Sequence, residues 1–181
     1  MKKIVRRLTL FLVIASLSFV TTCNLTDTST SQVIAQTTLA PTQGNSTTGS
    51  VTFTTQKDGV SVVASITGLA EGKHGFHIHE NGDCSAPDGT SAGGHFNTQG
   101  TPHGSPDASV EQRHVGDLGN ILVDVSGSGK YDRVDQIISL SGTDSIVGKA
   151  VIIHSGEDDL TSQPTGNAGS RLACGIIELQ S

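Results

Sequence analysis

The sequence predicts an all-β domain of about eight strands, and three observations carry that reading. Aromatic residues make up 3% of the chain and Trp is absent, so a core has to be built from Val, Ile, Leu and a few Phe. Several short runs alternate β-branched and polar residues, the period of a strand with one buried face. Clusters of Gly, Asn, Asp and Ser separate those runs, with 22 Gly among 181 residues, as turns do in all-β chains. This length suits a leader plus one domain, because about 140 residues is a common domain size.

Residues 1–22 have the anatomy of a secretory signal peptide: Lys2, Lys3, Arg6 and Arg7 precede the apolar run Leu8 to Val20. That run is too short to span a bilayer comfortably, since a crossing helix needs about 20 apolar residues. Cys23 follows where bacterial lipoprotein signals end, behind a loose lipobox of Val20, Thr21 and Thr22, and is expected to carry a lipid anchor. The competing cleavage site follows Val33, Ile34 and Ala35. Either processing leaves Cys84 and Cys174 as a pair in a compartment where disulfides persist. Closing that loop of about 90 residues is worth about 4 to 5 kcal/mol on the chain-entropy account.

Residues 23–36 are rich in Thr and Ser through Gln32 and read as a disordered tether. The domain is expected over 37–181. It opens with a short strand at Thr37, then Gly49 to Gln56, where Val51 and Phe53 alternate with Thr52 and Thr54. Lys57, Asp58 and Gly59 turn the chain into Val60 to Ile66, a hairpin by its Asp-Gly signal. The segment from Lys73 holds the next strand, and a long loop runs from Glu80 to Arg113. Further strands are expected over Leu118 to Val125, Tyr131 to Leu140, Lys149 to His154 and Leu172 to Leu179, with a second long loop over Ser155 to Ser170. A loop of about thirty residues in a small domain has to be pinned by something. Cys84, His95 and His103 are the residues available inside the first.

The densest chemistry lies in Lys73 to Cys84, KHGFHIHENGDC, which holds three of the seven histidines. A strand sends His77 and His79 to one face and Phe76 and Ile78 to the other, so one face can pack core while the other binds metal. His74 reads as a buried or surface histidine rather than a ligand. His95, His103, His114 and His154, with Asp117 three residues after His114, supply further donors. Imidazoles suit copper and zinc alike; copper(II) prefers a tetragonal nitrogen set, and three histidines with a carboxylate make a tetrahedral zinc site. There are enough donors for one of each.

The segments HGFHIHE, GDC, AGGHFN, RHVGDLGN and GNAGSRLACG, in this order from about Thr37 to Leu179, closely resemble those of copper/zinc superoxide dismutases. The resemblance implies an eight-stranded Greek-key flattened barrel or sandwich, with two long loops covering a metal site. It implies copper on His77, His79, His95 and His154, and zinc on His95, His103, His114 and Asp117, with His95 bridging the two. It further implies an active-site arginine, Arg171; a carboxylate, Asp158, that bonds one histidine of each metal, a role for which adjacent Asp159 competes; and a Cys84–Cys174 disulfide that fixes Arg171. Thr98 stands where many relatives have Pro, which bears on loop shape rather than on ligands. The implied activity is conversion of superoxide to oxygen and hydrogen peroxide by copper redox cycling with a structural zinc. Catalysis would rest on Arg171 and His95.

From Cys23 onward seven Lys and Arg face seventeen Asp and Glu, a balance that excludes nucleic acid as a partner. The implied substrate, superoxide, is itself an anion, so local field has to outweigh net charge. The second loop holds Glu157, Asp158 and Asp159 but no Lys, which leaves steering to Arg171, the metals, and Lys73 or Lys149. An exported protein of the periplasm or cell envelope is expected, of the exported bacterial type. A homodimer is left open, because no segment marks its surface. A copper-buffering protein on the same fold is the rival reading, and the presence of both Arg171 and His95 argues against it.

Overall fold

A computed structural model of the chain describes residues 32–180. The expected signal peptide, Cys23 and the tether up to residue 31 lie outside the described residues. Thr48–Gln56 (β2) and Gly59–Thr67 (β3) pair antiparallel from Thr48↔Thr67 to Gln56↔Gly59, the hairpin that Asp58-Gly59 foretells. Val51 and Phe53 bury against Val62, Ala64 and Ile66. At the turn, Gly59 has φ 141°, and a Cβ there would collide with the Asp135 carbonyl; only glycine fits.

Ile34–Pro41 (β1) starts earlier than expected. Ala35 is fully buried and pairs with Phe53, so residues 34–36, read from sequence as tether, belong to the sheet. The remaining strands are Gly72–His79 (β4), Asp117–Val123 (β5), Ser128–Asp135 (β6), Ala150–His154 (β7), Arg171–Ile176 (β8) and Glu178–Leu179 (β9). Their hydrogen-bonded order is β2-β3-β6-β5-β4-β7-β8-β1, and β1 returns to β2. All pairings in this ring are antiparallel. The result is a closed eight-strand barrel with no open edge. Strands β4, β5 and β6 are successive neighbours and β3 lies beside β6, which is a Greek key.

Two strand ends differ from expectation for identifiable reasons. β6 stops at Asp135 instead of Leu140, because Asp135 Oδ1 accepts the N–H groups of Ile137 (2.8 Å) and Ile138 (3.1 Å) and bends the chain. The last strand is two pieces, β8 and the short β9, interrupted at fully buried Ile177, whose N–H bonds the Lys149 carbonyl at 2.9 Å.

Strand β4 is buried on both faces from His74 to His79. Phe76 and Ile78 enter the barrel core, where Phe76 meets Tyr131 edge-on at 5.0 Å. β7 is covered on both sides as well: Val151 and Ile153 join that core, while Ala150 and Ile152 pack with Ala92 and Cys174 beneath the first loop. A continuous apolar run is what such double burial requires. The loops over residues 80–116 and 155–170 lie on the outer face of these two strands.

Cys84 and Cys174 form the expected disulfide, with Cα atoms 5.8 Å apart and 90 residues between them in sequence. It ties the first loop to β8 three residues beyond Arg171. Cys84→Ser is expected to lower the unfolding free energy of the metal-free protein by about 2 to 5 kcal/mol. Urea denaturation of both forms measures this, and equal midpoints would contradict it.

Candidate metal centre

Two register shifts flank the histidines. The β4–β5 register shifts between Gly75 and His77, and the β7–β8 register shifts between Ile153 and His154. In both, the partner strand carries the extra residue: Leu118 and Gly119 of β5 stand opposite Phe76 alone, and Leu172 of β8 falls between the partners of Ile153 and His154; such irregularities are common beside functional sites. Gly75 makes room there: a Cβ on it would lie 2.7 Å from Ala168 Cβ and 3.0 Å from His77 Cε1. His95 reaches the same place from the first loop by a bridge to His79. His103 and His114 come from that loop, and Asp117 opens β5.

All seven residues that the sequence marks as ligands are buried. Their donor atoms fall into two groups, His77, His79, His95 and His154, and His95, His103, His114 and Asp117, each with its atoms within 4.8 Å of one another. His95 is common to both. Asp117 Oδ1 sits among three Nδ1 atoms, at 2.8 Å from His95, 3.0 Å from His103 and 3.2 Å from His114. Its other oxygen accepts the N–H groups of Gly104 and His114, which fixes the carboxylate's direction.

Hydrogen bonds to groups that can only accept set the tautomers. His79 Nδ1 donates to the Gly93 carbonyl (3.0 Å) and His154 Nδ1 to the Gly169 carbonyl (3.1 Å). Their Nε2 lone pairs are therefore free, and the two Nε2 atoms face each other at 3.4 Å. Asp158 spans the two groups: its Oδ2 accepts from His77 Nε2 at 2.8 Å and its Oδ1 from His103 Nε2 at 2.9 Å. That leaves Nδ1 as the second nitrogen of each ring, which in His103 lies 3.0 Å from Asp117 Oδ1. Asp159 does not share this position; it is exposed and braces its own loop through the N–H groups of Thr161 and Ser162.

Burial holds the imidazoles neutral on one side of the cluster. It lowers His79 well below the ordinary value, His154 to about 3 with help from His77, and His95 to about 4. At His103 burial acts in the same direction, but hydrogen bonds to Asp117 and Asp158 outweigh it and raise the ring to about 9. Both carboxylates, although burial opposes their charge, are held below the usual range by these histidines. The two Asp oxygens thus concentrate negative charge where the second group of donors converges, a field that favours a divalent cation.

Arg171, half-buried, opens β8 and pairs across the sheet with His154. Its Nη1 donates to the Gly89 carbonyl (2.7 Å) and its Nη2 to the Gly93 carbonyl (2.6 Å), so it shares the Gly93 acceptor with His79. Its charge acts on both His79 and His154. Of the two lysines considered for steering, Lys73 is paired with Glu157 at 2.7 Å. Lys149 bonds the Glu80 carbonyl and lies over the Phe96 ring. His74 is buried with its two nitrogens facing the carbonyls of His154 and Ala70, outside both donor groups.

Two positioning residues escape sequence reasoning. Asn120 exchanges reciprocal amide bonds with the Asp158 backbone, both 2.8 Å, and Gln163 does the same with the backbone of His103. Asn120 ends the RHVGDLGN segment, but nothing local indicates a partner 38 residues away.

Comparison with known proteins yields a consistent result. The family model described as copper/zinc superoxide dismutase (SODC) matches residues 47–177. The chain is 47% identical over 137 residues to a superoxide dismutase [Cu-Zn] of Paramecium bursaria Chlorella virus 1, covering 71% of each protein. It is 48% identical over 135 residues to an extracellular superoxide dismutase [Cu-Zn] of Caenorhabditis elegans, covering 71% of this chain and 60% of that one. The crystal structure of the clock protein EA4 superposes with a TM-score of 0.74 at 42% identity, over 81% of this chain and 94% of the other.

Proposed function

This chain belongs to the copper/zinc superoxide dismutase family, and from that premise we propose how its own residues carry the family's reaction, the dismutation of superoxide with copper and zinc as cofactors. His77, His79, His95 and His154 hold copper; His95, His103, His114 and Asp117 hold zinc. The observation that carries this assignment is the set of nitrogens left over once hydrogen bonds are counted. Nδ1 of His77 and Nε2 of His95 are buried without a partner, and Nδ1 of His103 and of His114 meet only Asp117 Oδ1, at 3.0 and 3.2 Å. A buried unpaired polar atom costs about 1 to 3 kcal/mol, and two such atoms, with two more nitrogens crowding one carboxylate oxygen, fit a site built for cations. The donor types fit as well, four imidazoles for copper(II) and three with a carboxylate for zinc.

When bound, copper supplies the one-electron exchange by which two superoxide anions and two protons become one oxygen and one hydrogen peroxide, and zinc organises the shared ring. The protein does the rest. Arg171 binds and orients the anion: its two carbonyl contacts hold the guanidinium plane, and the remaining N–H groups are free to meet a small anion. His95 Nε2, buried and unpartnered, would carry a proton to the reduced substrate whenever it is not engaged by copper. With Lys73 neutralised by Glu157, local attraction concentrates at Arg171 and the metal pair.

Arg171→Ala, reconstituted with both metals, is expected to lose about 10- to 100-fold in kcat/KM, the scale of local electrostatic capture, with metal content unchanged. Arg171→Lys restores part of it. Rates of superoxide loss measure this, and an unchanged rate in the alanine variant would reject the role. A wild-type chain that binds both metals but does not turn over would instead be the copper-buffering rival.

Export is part of the same proposal. Residues 1–22 act as a signal peptide and Cys23 carries lipid, placing the chain in the periplasm or cell envelope as an exported bacterial type. Support comes from the basic and apolar leader, from a disulfide of the kind that persists outside the cytosol, and from a relative named extracellular. Cleavage after Ala35 is disfavoured because Ala35 is a buried member of β1 and Val33 bonds Thr55 through both backbone groups. The intact mass of the mature chain decides: a lipid-bearing Cys23 at the N-terminus supports the proposal, and an unmodified chain starting at Gln36 rejects it.

A further inference from the structure

His103 is the least anchored of the seven donors by its own backbone. It lies in an irregular stretch, and among the described residues no backbone–backbone hydrogen bond involves residues 97–104. Pro102 before it has no N–H to offer. The second loop supplies the missing support. Gln163 Oε1 accepts the His103 N–H at 2.8 Å, and Gln163 Nε2 donates to the His103 carbonyl at 2.9 Å. Asp158 of that loop takes the ring's Nε2. Every polar atom of His103 except Nδ1 is thus engaged from one loop, and Nδ1 is the atom left aimed at Asp117.

The loop is stiff enough to serve this purpose. Asp159 Oδ1 gathers the N–H groups of Thr161 and Ser162, its Oδ2 holds Asn167, its N–H bonds the Gly166 carbonyl, and Gly166 N–H bonds the Ser162 carbonyl. Gln163 sits inside this braced turn, itself exposed. Gly166 closes the arrangement: at φ 66°, a Cβ there would strike Asp158 Oδ1 and His103 Nε2.

We propose that Gln163 is a positioning residue for the zinc site, its side-chain amide clasping the His103 backbone so that Nδ1 is presented to the metal. On this account the second loop, which carries no lysine, serves the zinc half of the centre as a strap instead of serving the substrate as an electrostatic guide. The inference rests on His103 being a zinc ligand.

The test uses the full mature chain loaded with copper and zinc, and follows zinc release to a chromophoric chelator. Gln163→Ala is expected to release zinc about 10-fold faster, the lower end of the effect of removing an outer partner of a metal ligand. Gln163→Asn, one methylene too short, behaves like the alanine variant. Gln163→Glu keeps the acceptor for His103 N–H but loses the donor, and falls between. Thr165→Ala, elsewhere in the loop, releases zinc at the wild-type rate. The absorption of cobalt(II) placed in the zinc site shifts in Gln163→Ala and not in Thr165→Ala. If His103→Ala loses zinc while Gln163→Ala keeps the wild-type rate, the clasp is rejected and the ligand stands. If His103→Ala holds zinc as wild type does, the ligand assignment falls and takes the clasp with it. Equal destabilisation of metal-free and metal-loaded Gln163→Ala in urea would mark a merely structural role and also overturn the proposal.

Discussion

His154→Ala is expected to abolish turnover after copper and zinc reconstitution, with copper lost and zinc retained. His154 ends β7 at the register shift with β8, and its Nδ1–H bond to the Gly169 carbonyl dedicates Nε2 to the metal. Its ring centroid is 5.0 Å from that of His77 and 5.6 Å from that of His79. Alanine removes one of four nitrogens and no neighbour can replace it, because His74 uses both ring nitrogens elsewhere. The zinc donors share only His95 with the copper group, so zinc should stay. Loss of an outer partner of a metal ligand costs about 10- to 100-fold in affinity or activity, and losing the ligand itself should exceed that. Metal analysis and superoxide assay on the reconstituted variant give the answer. Full activity with normal copper content would remove His154 from the site.

Much of this centre was legible because a strand has a period of two. That period alone places His77 and His79 opposite Phe76 and Ile78, and the structure has the first pair at the metal cluster and the second in the core. The register shifts beside His77 and His154 were not legible, since they arise from pairing with strands far along the chain. A glycine inside a strand run was the available hint, because it often marks a bulge or a close approach, and Gly75 is such a residue. The early start of β1 was hidden for a different reason. Val33-Ile34-Ala35 is a short apolar run that reads equally as a cleavage site, and only its partner Phe53 shows that Ala35 is buried in the sheet.

The supporting hydrogen bonds were the least accessible part. Asp158 and Asp159 are adjacent and chemically equivalent in sequence, and what separates them is the fold of a loop held by Asn120 on one side and by its own turn on the other. Asn120 and Gln163 act across 38 and 60 residues, and an isolated amide carries no signature of such reach. Lys73 looked available for steering until Glu157, 84 residues on, was found beside it. The converging donors could be read because they stand in motifs that resemble those of a known family. Their partners could not, because each is a single ordinary residue whose meaning is fixed by the closed barrel.

Asp158→Asn is expected to lower copper affinity by about 10- to 100-fold while leaving zinc affinity much less affected. The substitution is isosteric, and the backbone clamp by Asn120 does not depend on the side chain. What changes is that one acceptor oxygen becomes an NH2 donor. Oδ1 accepts two N–H groups, His103 Nε2 at 2.9 Å and Leu160 N at 2.7 Å, whereas Oδ2 accepts only His77 Nε2 at 2.8 Å. The amide oxygen should therefore take the Oδ1 position, where two bonds are kept, and its nitrogen should face His77. Two donors then oppose each other. His77 can relieve the conflict only by moving its proton to Nδ1, the atom assigned to copper. His103 keeps its tautomer and, through Gln163, its place. The charge lost on neutralising the carboxylate weakens both sites, but the tautomer conflict falls on the copper side alone. Separate chelator competitions for copper and zinc on the mature chain measure the two affinities. Preferential loss of zinc would mean that the amide sits the other way round and that Leu160 does not set its orientation.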